Sequence, residues 1–369
     1  LWGDVPLFLH AEQPADIYKP RTPVAQIWEQ VIADFTAATA LPKRSEYSEE
    51  DTGRVTSGAA YAMLGRTYWY NRDFENVYKM LYVLVEGEQK GEYELDPDFA
   101  TQWLNPNSNL RESIFEIQYV TNGKNWDEST GWNGVWFIPS SDGGYGFHLP
   151  TQHLLDAFDP EDPRITWTFV RQGDQFVGND FVTGDANYPS RFFDRKHFVP
   201  MSETLNAASP VYPQDVEMTV YVIRYADVLL MYAEACLEKG NIVGARKYLN
   251  QVRKRARESS PLDAKRVIQK YVPDTKPTSL PDITSDNVAE VRLAIWNERR
   301  FEFACEGIRR MDLMQQERYG EIMTAVYSNG YATEDVDKGR YYTKERELFP
   351  IPQNDIDLSR GALVQNPGY

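Results

Sequence analysis

The chain of 369 residues contains few of the side chains that build metal and redox sites, with only two cysteines and four histidines. Cys236 and Cys305 each lie in an apolar, helix-like pattern, which predicts buried thiols rather than a disulfide or a reactive site. His148 and His153 are separated by a proline and offer a poor frame for a metal ion. The sequence therefore predicts no metal site and no cofactor; a structural calcium ion is compatible with it but not indicated by it.

Long apolar runs and clusters of positive charge are also absent. The most apolar stretch, residues 228–237, already contains Glu234, so no segment is predicted to span a bilayer. With 39 basic and 55 acidic side chains the formal net charge is −16. Such a balance, without a stripe of Lys and Arg, repels phosphate backbones and anionic lipid surfaces. Neither nucleic acid nor a membrane surface is predicted as a direct partner.

The signatures of common enzymes are missing as well. The sequence has no nucleophile elbow, no phosphate-binding loop, no His-Glu-x-x-His and no Cys-x-x-Cys. Carboxylates are abundant, so the sequence does not exclude the acid and base pair of a glycoside hydrolase. Such a pair is recognised by the distance between two carboxyl groups, which a sequence does not give. The densest acidic cluster, LDAFDPEDPR at residues 155–164, is predicted to be a solvated turn in which Arg164 pairs with an aspartate.

Helical periodicity dominates the rest of the chain. Apolar residues recur at spacings of three and four and predict helices at about 24–35, 58–70, 74–86, 224–239, 242–255 and 286–304. Short turns join two pairs of these segments into helical hairpins, and the second pair has a period of about 34 residues, as tetratricopeptide repeats do. Such hairpins stack in order to bury their apolar faces. The predicted fold class is mainly α, built from tetratricopeptide-like helical hairpins with a loop-rich capping region that contains short strands.

The capping region differs from the helical segments in its residue pattern. Between residues 91 and 215, Pro, Gly, Asn and Asp interrupt short segments, one of which, residues 113–119, is predicted to be a strand. Long loops in compact domains are usually functional. We therefore expect a single fold over residues 1–369, with a helical part at 15–90 and 216–316 and a loop-rich, ligand-binding part at 91–215 and 317–369.

An aromatic series in this loop-rich part carries the functional prediction. It comprises Tyr119, Trp126, Trp132, Trp136, Phe137, Tyr145 and Phe147. Amide and carboxylate side chains lie between these rings, so the segment is too polar for every ring to be core. Flat rings that stack on sugar faces, with polar groups beside them for the hydroxyls, are typical of carbohydrate-binding surfaces. The predicted ligand-binding residues are Asn125, Trp126, Asp127, Trp132, Trp136 and Tyr145; core packing or loop anchoring is the alternative role for each ring.

Several longer motifs carry a resemblance to a known family. They are RYADVLLMYAEA at residues 224–235, NERRFEFACEGIRRMDL at 297–313, LFPIPQ at 348–353 and QNPGY at 365–369, with WGDVPL at 2–7 and ESIFEIQY at 112–119. In order, spacing and position these motifs resemble the SusD/RagB family. The resemblance covers essentially the whole chain.

The resemblance implies a surface-exposed lipoprotein of the Bacteroidetes outer membrane, made of four tetratricopeptide-like helix pairs and a loop-rich face that holds the ligand. Members bind nutrient, usually glycan and sometimes peptide, and cap a SusC-like TonB-dependent transporter. Family members carry a further N-terminal segment with the lipid-attached cysteine, so we expect this chain to be a fragment whose membrane contact runs only through that absent anchor. The resemblance also implies a binding protein rather than an enzyme.

The motif residues themselves are predicted to be architectural. Glu302, Glu306, Arg309 and Asp312 follow one another at spacings of four, three and three, which would place them on one helical face as a structural charge network. Three other functions remain open: a peptide-binding member of the family, a repeat scaffold for protein partners, and a helical-fold glycoside hydrolase.

Overall fold

The computed structural model describes residues 1–13, 16–104, 107–119, 136–137, 145–171, 192–197, 217–259, 280–328 and 342–369. Over these residues the helices are α1 (Val24–Ala38), α2 (Ser57–Tyr70), α3 (Phe74–Val85), α4 (Gln152–Leu155), α5 (Ile165–Thr168), α6 (Tyr225–Glu238), α7 (Ile242–Glu258), α8 (Val288–Glu302), α9 (Arg309–Gln315), α10 (Tyr319–Ser328) and α11 (Gln353–Leu358). The strands are β1 (Ser113–Ile117), β2 (Phe169–Arg171), β3 (Phe192–Asp194) and β4 (Val220–Arg224). Two compact units result, one from Leu1–Ala40 with Arg310–Tyr369 and one from Leu41–Arg309. The prediction of a mainly helical fold is confirmed.

Helices α2 and α3 form the first predicted hairpin. The Asp73 side chain accepts a hydrogen bond from the backbone N of Asn76 at 3.1 Å and so caps the start of α3. The two helices approach closely at Gly65, where a Cβ atom would lie only 2.6 Å from Cγ of Leu81. Small residues in α2 therefore permit the close contact between the two helices of the predicted hairpin.

Helices α6 and α7 form the second predicted hairpin, at the centre of the larger unit. Gly240 takes a φ of +79° between them, and Asn241 caps α7 by accepting from the backbone N of Gly244 at 2.9 Å. Helix α6 is buried at every position from Tyr225 to Leu237. It packs against α2, α3, α7 and α8, so the core of this unit is arranged around a single helix.

Two short antiparallel ribbons accompany the helices. Strand β1 pairs with β4, which runs directly into α6, and the predicted strand at 113–119 is thus confirmed at Ser113–Ile117. Strand β2 pairs with β3, with Phe169 opposite Asp194. This second ribbon fixes the backbone of the segment that contains Asp194, a residue of the site described below.

A buried charge network links the helical core to these ribbons. Glu302, at the end of α8, accepts from Arg224 Nη1 at 2.6 Å and from Arg164 Nη1 at 2.9 Å, and it also pairs with Arg255. Burial alone would raise the pKa of Glu302, but the three guanidinium groups hold it well below its usual value. The architectural role of this motif residue is consistent with these contacts.

The expectation that Glu302, Glu306, Arg309 and Asp312 share one helical face is wrong. Helix α8 ends at Glu302 and α9 begins at Arg309. The break follows from positive φ angles of 64° at Cys305 and 76° at Gly307, which an α-helix does not contain. Glu306 instead accepts from Lys196 Nζ at 2.7 Å and from Arg224 Nη2 at 2.8 Å.

The acidic corner at residues 155–164 contains the predicted pairing of Arg164 with an aspartate. Arg164 Nη2 lies 2.7 Å from Asp162 Oδ2, and the same guanidinium reaches Glu298 at 2.7 Å. Both Asp162 and Arg164 are buried, so the prediction that they are solvated is wrong. The charges tolerate burial because each is paired and hydrogen-bonded.

The smaller unit ties two motifs together through Arg21. Its Nε donates to the carbonyl of Asp4 at 2.7 Å, and its Nη2 donates to Asn366 Oδ1 at 2.6 Å. The motifs at residues 2–7 and 365–369 therefore meet at one guanidinium. Among the described residues, no helix has the length and apolar character needed to cross a membrane.

Candidate ligand-binding site

Three aromatic rings lie together at the surface of the loop-rich part: Trp136, Tyr145 and Phe147, called the aromatic cluster here. Their ring centroids are 5.3 to 5.9 Å apart, and Phe147 is inclined by only 21 to 22° to the other two. The backbone N of Phe147 donates to the carbonyl of Trp136 at 2.7 Å and holds the two segments side by side. The cluster is therefore a defined arrangement of rings on two hydrogen-bonded segments.

The aromatic cluster is open to solvent. Trp136 is 47% exposed, and Tyr145 and Phe147 are each 54% exposed. Single exposed apolar residues are ordinary, but contiguous exposed rings form a patch of the kind that marks a binding surface. Chemically, the cluster offers apolar faces for the C–H side of a ligand and one phenol hydroxyl for a hydrogen bond.

Next to the aromatic cluster, two imidazoles converge on one carboxylate. His148 Nδ1 lies 2.9 Å and His197 Nδ1 lies 2.7 Å from the same oxygen, Asp194 Oδ2; these residues are the His-Asp group. The Phe137 ring joins the group to the cluster, since its centroid lies 4.7 Å from that of His197. Burial would lower the pKa of His197, but the Asp194 carboxylate raises it overall. Burial would likewise raise the pKa of Asp194, but the imidazoles hold it far below its usual value.

The structure brings together two of the predicted ligand-binding residues, Trp136 and Tyr145. The other four, Asn125, Trp126, Asp127 and Trp132, lie outside the described residues. Their participation therefore stays a prediction. The third ring, Phe147, belongs to the aromatic series in the sequence but was not among the predicted ligand-binding residues.

Sequence reasoning missed the His-Asp group. The histidine nearest to His148 in the sequence is His153. In the structure, however, His153 lies beside Arg300, whose Nη2 is 3.1 Å from His153 Nδ1. The true neighbours of His148 come from a segment more than forty positions further along the chain, at and just after the end of β3. No local spacing in the sequence signals that approach.

A separate cleft of about 450 Å³ lies between α3, residues 90–97 and α7. Its lining includes Tyr93, Tyr248, Lys247 and Asp96, and it shares no residue with the aromatic cluster. Burial and the nearby Glu112 carboxylate raise the pKa of Asp96 to about 6. The cleft is therefore a concave surface separate from the aromatic cluster, lined by charged and phenolic side chains rather than by a group of exposed rings.

Comparison with known proteins places the chain in a family. The sequence model of the SusD family matches residues 111–369. The chain therefore belongs to the SusD family, as the motifs predict.

Relatives and solved structures agree with this assignment. A SusD-like protein of Bacteroides ovatus is 24% identical over 410 residues, which cover 100% of this chain and 70% of the relative. The structure of a SusD superfamily protein from Bacteroides vulgatus has a TM-score of 0.73 at 24% identity and covers 100% of this chain and 74% of its own. Surface glycan-binding protein A from Bacteroides thetaiotaomicron, in complex with laminarihexaose, has a TM-score of 0.70 at 22% identity, with 99% and 74% covered. These structures share the helical fold.

Proposed function

We propose that the protein is a cell-surface glycan-binding protein that captures an oligosaccharide or polysaccharide without cleaving it. The observation that carries this proposal is the aromatic cluster, in which Trp136, Tyr145 and Phe147 hold three adjacent rings half-exposed. Membership of the SusD family supports it, as do similar proteins described as surface glycan-binding proteins, one of them in complex with laminarihexaose.

In the proposed mode of binding, sugar rings stack their apolar C–H faces on the aromatic cluster. Each contact removes apolar surface from water, which contributes a binding free energy of about 25 cal/mol per Å² buried. Several adjacent rings bind several sugar units along a chain. Asn125 and Asp127, with Trp126 and Trp132, are proposed to extend this surface and to bind the hydroxyl groups. No nucleophile or acid and base pair enters the proposed mechanism, so the ligand leaves chemically unchanged.

Delivery to a transporter belongs to the same proposal. By resemblance to its family, the protein is proposed to sit at the outer membrane as a lipoprotein and to pass its glycan to a SusC-like TonB-dependent transporter. Burial raises the pKa of both Cys236, which is buried as predicted, and Cys305, which is only half-buried, so neither is proposed as the lipid-attached residue.

The test is a panel of polysaccharides that includes laminarin, examined by affinity electrophoresis and calorimetry. Trp136→Ala is expected to weaken binding of the recognised glycan at least about tenfold, which corresponds to about 1.4 kcal/mol. Trp2→Ala is a matched control, because Trp2 is also 43% exposed but lies in the other compact unit. Equal affinity of Trp136→Ala and the unmodified chain would remove the aromatic cluster as the site.

The other functions predict different results in the same panel. Saturable binding to a peptide pool alone would indicate the peptide-binding function, in which backbone pairing replaces stacking. Release of sugars from the polysaccharide over hours would indicate a glycoside hydrolase. Absence of binding to both glycans and peptides would favour a repeat scaffold whose partners are proteins.

A further inference from the structure

The His-Asp group has the composition and geometry of a metal site. We propose that His148, Asp194 and His197 bind a divalent transition-metal ion of the zinc type through the two Nδ1 atoms and the carboxylate oxygen Oδ2. The ligand atoms of all three residues lie within 4.8 Å of one another. This proposal does not depend on the glycan-binding function.

The donor atoms lie near the spacing that such an ion requires, but slightly closer together. Zn–N and Zn–O bonds are about 2.0 to 2.2 Å, so two donor atoms on one tetrahedral zinc are roughly 3.3 Å apart. The two Nδ1 atoms lie 2.9 and 2.7 Å from Asp194 Oδ2. An ion would enter by displacing the hydrogen-bonded protons and moving the donors apart by a few tenths of an ångström.

The carboxylate is already oriented without help from the imidazoles. The backbone N of Lys196 donates to Asp194 Oδ1 at 2.9 Å, and the pairing of Asp194 with Phe169 fixes the backbone at the end of β3. Oδ2 is thereby left to face the two imidazoles. Groups of this kind, which hold a ligand residue in place, are a regular part of metal sites.

The backbone of His148 supplies an independent observation. His148 has a φ of +61°, in the left-handed region that residues other than glycine rarely adopt. Residues held in such conformations cluster at ligand clamps and functional sites, where the surrounding structure maintains the strain. Here the conformation accompanies an imidazole directed at a buried carboxylate.

The ligand set selects the class of metal. Imidazole nitrogen suits Zn²⁺, Co²⁺, Ni²⁺ and Cu²⁺, whereas Ca²⁺ and Mg²⁺ prefer oxygen ligands alone. Three protein ligands leave at least one coordination position for water or another oxygen ligand. The His148 side chain is 41% exposed, so the group is reachable from solvent.

Metal binding would also restrict the movement of the aromatic cluster. His148 follows Phe147 directly, and Phe137, next to Trp136, contacts the His197 ring. An ion would therefore link the segments that carry the rings to the ribbon of β2 and β3.

The test is calorimetric titration of the metal-free chain with Zn²⁺, Co²⁺ and Ca²⁺. One Zn²⁺ site per chain is expected, with Co²⁺ giving the visible absorption of a nitrogen and oxygen complex. His148→Ala should weaken Zn²⁺ binding at least about tenfold, and because the side chain is half-exposed its removal leaves the core packing unchanged. Asp194→Asn should do the same, while His153→Ala, a histidine outside the group, should bind as the unmodified chain does.

Melting temperature supplies a second readout, because a ligand that binds only the folded state raises it. Zn²⁺ should raise the melting temperature of the unmodified chain and of His153→Ala, but not that of His148→Ala. Any one of three results would overturn the proposal. These are the absence of saturable Zn²⁺ binding, tighter binding of Ca²⁺ than of Zn²⁺, and equal Zn²⁺ affinity in His148→Ala and His153→Ala.

Discussion

Arg224 and Glu302, which are 78 positions apart in the sequence, form a buried ion pair at 2.6 Å that joins two motifs. Arg224 ends β4 at the start of the motif at 224–235, and Glu302 ends α8 within the motif at 297–313. A second pair repeats the relationship, since Arg299 Nη1 lies 2.6 Å from Asp227 Oδ1. The motifs at 224–235 and 297–313 are thus joined in three dimensions by buried ion pairs.

Arg224→Met is expected to destabilise the fold strongly. The guanidinium contacts Glu112, Glu302 and Glu306, so its removal leaves buried carboxylates with one fewer positive partner. Breaking a buried pair in this way costs about 3 to 5 kcal/mol of unfolding free energy. Urea unfolding followed by circular dichroism measures the change.

A matched control for that variant is Arg54→Met. Arg54 pairs with Asp51 at 2.8 Å, but its side chain is 70% exposed. Exposed pairs of this kind contribute about 0 to 1 kcal/mol. Equal unfolding midpoints for the two variants would contradict the structural role assigned to the buried network.

Gly65→Ala tests the close contact of α2 with α3. The added Cβ would lie 2.6 Å from Cγ of Leu81, which is fully buried and cannot move freely. Overpacking of this kind costs about 1 to 3 kcal/mol, although alanine is the better helix former. Chemical unfolding of Gly65→Ala, Leu81→Ala and the double variant measures it, and the second substitution is expected to offset part of the cost of the first. Full additivity of the two changes would refute the contact.

The hairpins could be predicted from sequence because their signals are local. The apolar spacing, the cap residues Asp73 and Asn241 and the small residue Gly65 act within one or two helical turns. For the charge network, the sequence predicts that acidic and basic motif residues pair but not which residues meet. Its partners come from β4, α7, α8 and Arg164, and no periodicity reveals the turn at Cys305 and Gly307 that separates Glu302 from α9.

Asp96 is expected to make stability fall as the pH rises. Burial, with the Glu112 carboxylate, raises its pKa to about 6 in the folded chain, above the ordinary value of 3.8. Between these values the folded state binds the proton more strongly than the unfolded state, so the stabilisation is present below about pH 4 and is lost by about pH 6. The difference amounts to roughly 3 kcal/mol at most.

The measurement compares Asp96→Asn with the unmodified chain by urea unfolding at several values between pH 4 and 8. Because asparagine does not ionise, the variant should gain stability relative to the unmodified chain as the pH rises. A constant difference across that range would show that Asp96 has an ordinary pKa.

Part of the candidate site can be predicted from the sequence and part cannot. Aromatic residues amid polar ones in a long loop indicate a ligand surface, and Trp136 and Tyr145 do lie in contact at the surface. The sequence places Phe147 in the same aromatic series but gives no indication that Asp194 lies beside His148. Those two residues are 46 positions apart and meet only in the folded chain.

Tyr145 offers a final test, which separates ring stacking from hydrogen bonding in glycan recognition. Its ring is 54% exposed and lies 5.3 Å from that of Trp136, so Tyr145→Ala removes one stacking surface from the aromatic cluster. Tyr145→Phe keeps the ring and removes only the hydroxyl. We expect Tyr145→Ala to weaken binding of the glycan identified in the panel by about tenfold or more. We expect Tyr145→Phe to change it by less than about threefold, since a solvent-exposed hydrogen bond contributes about 0.5 kcal/mol, the low end of the usual range. Calorimetry on both variants makes the comparison. Equal losses in the two variants would assign recognition to the phenol hydroxyl and would contradict stacking as the source of affinity at this ring.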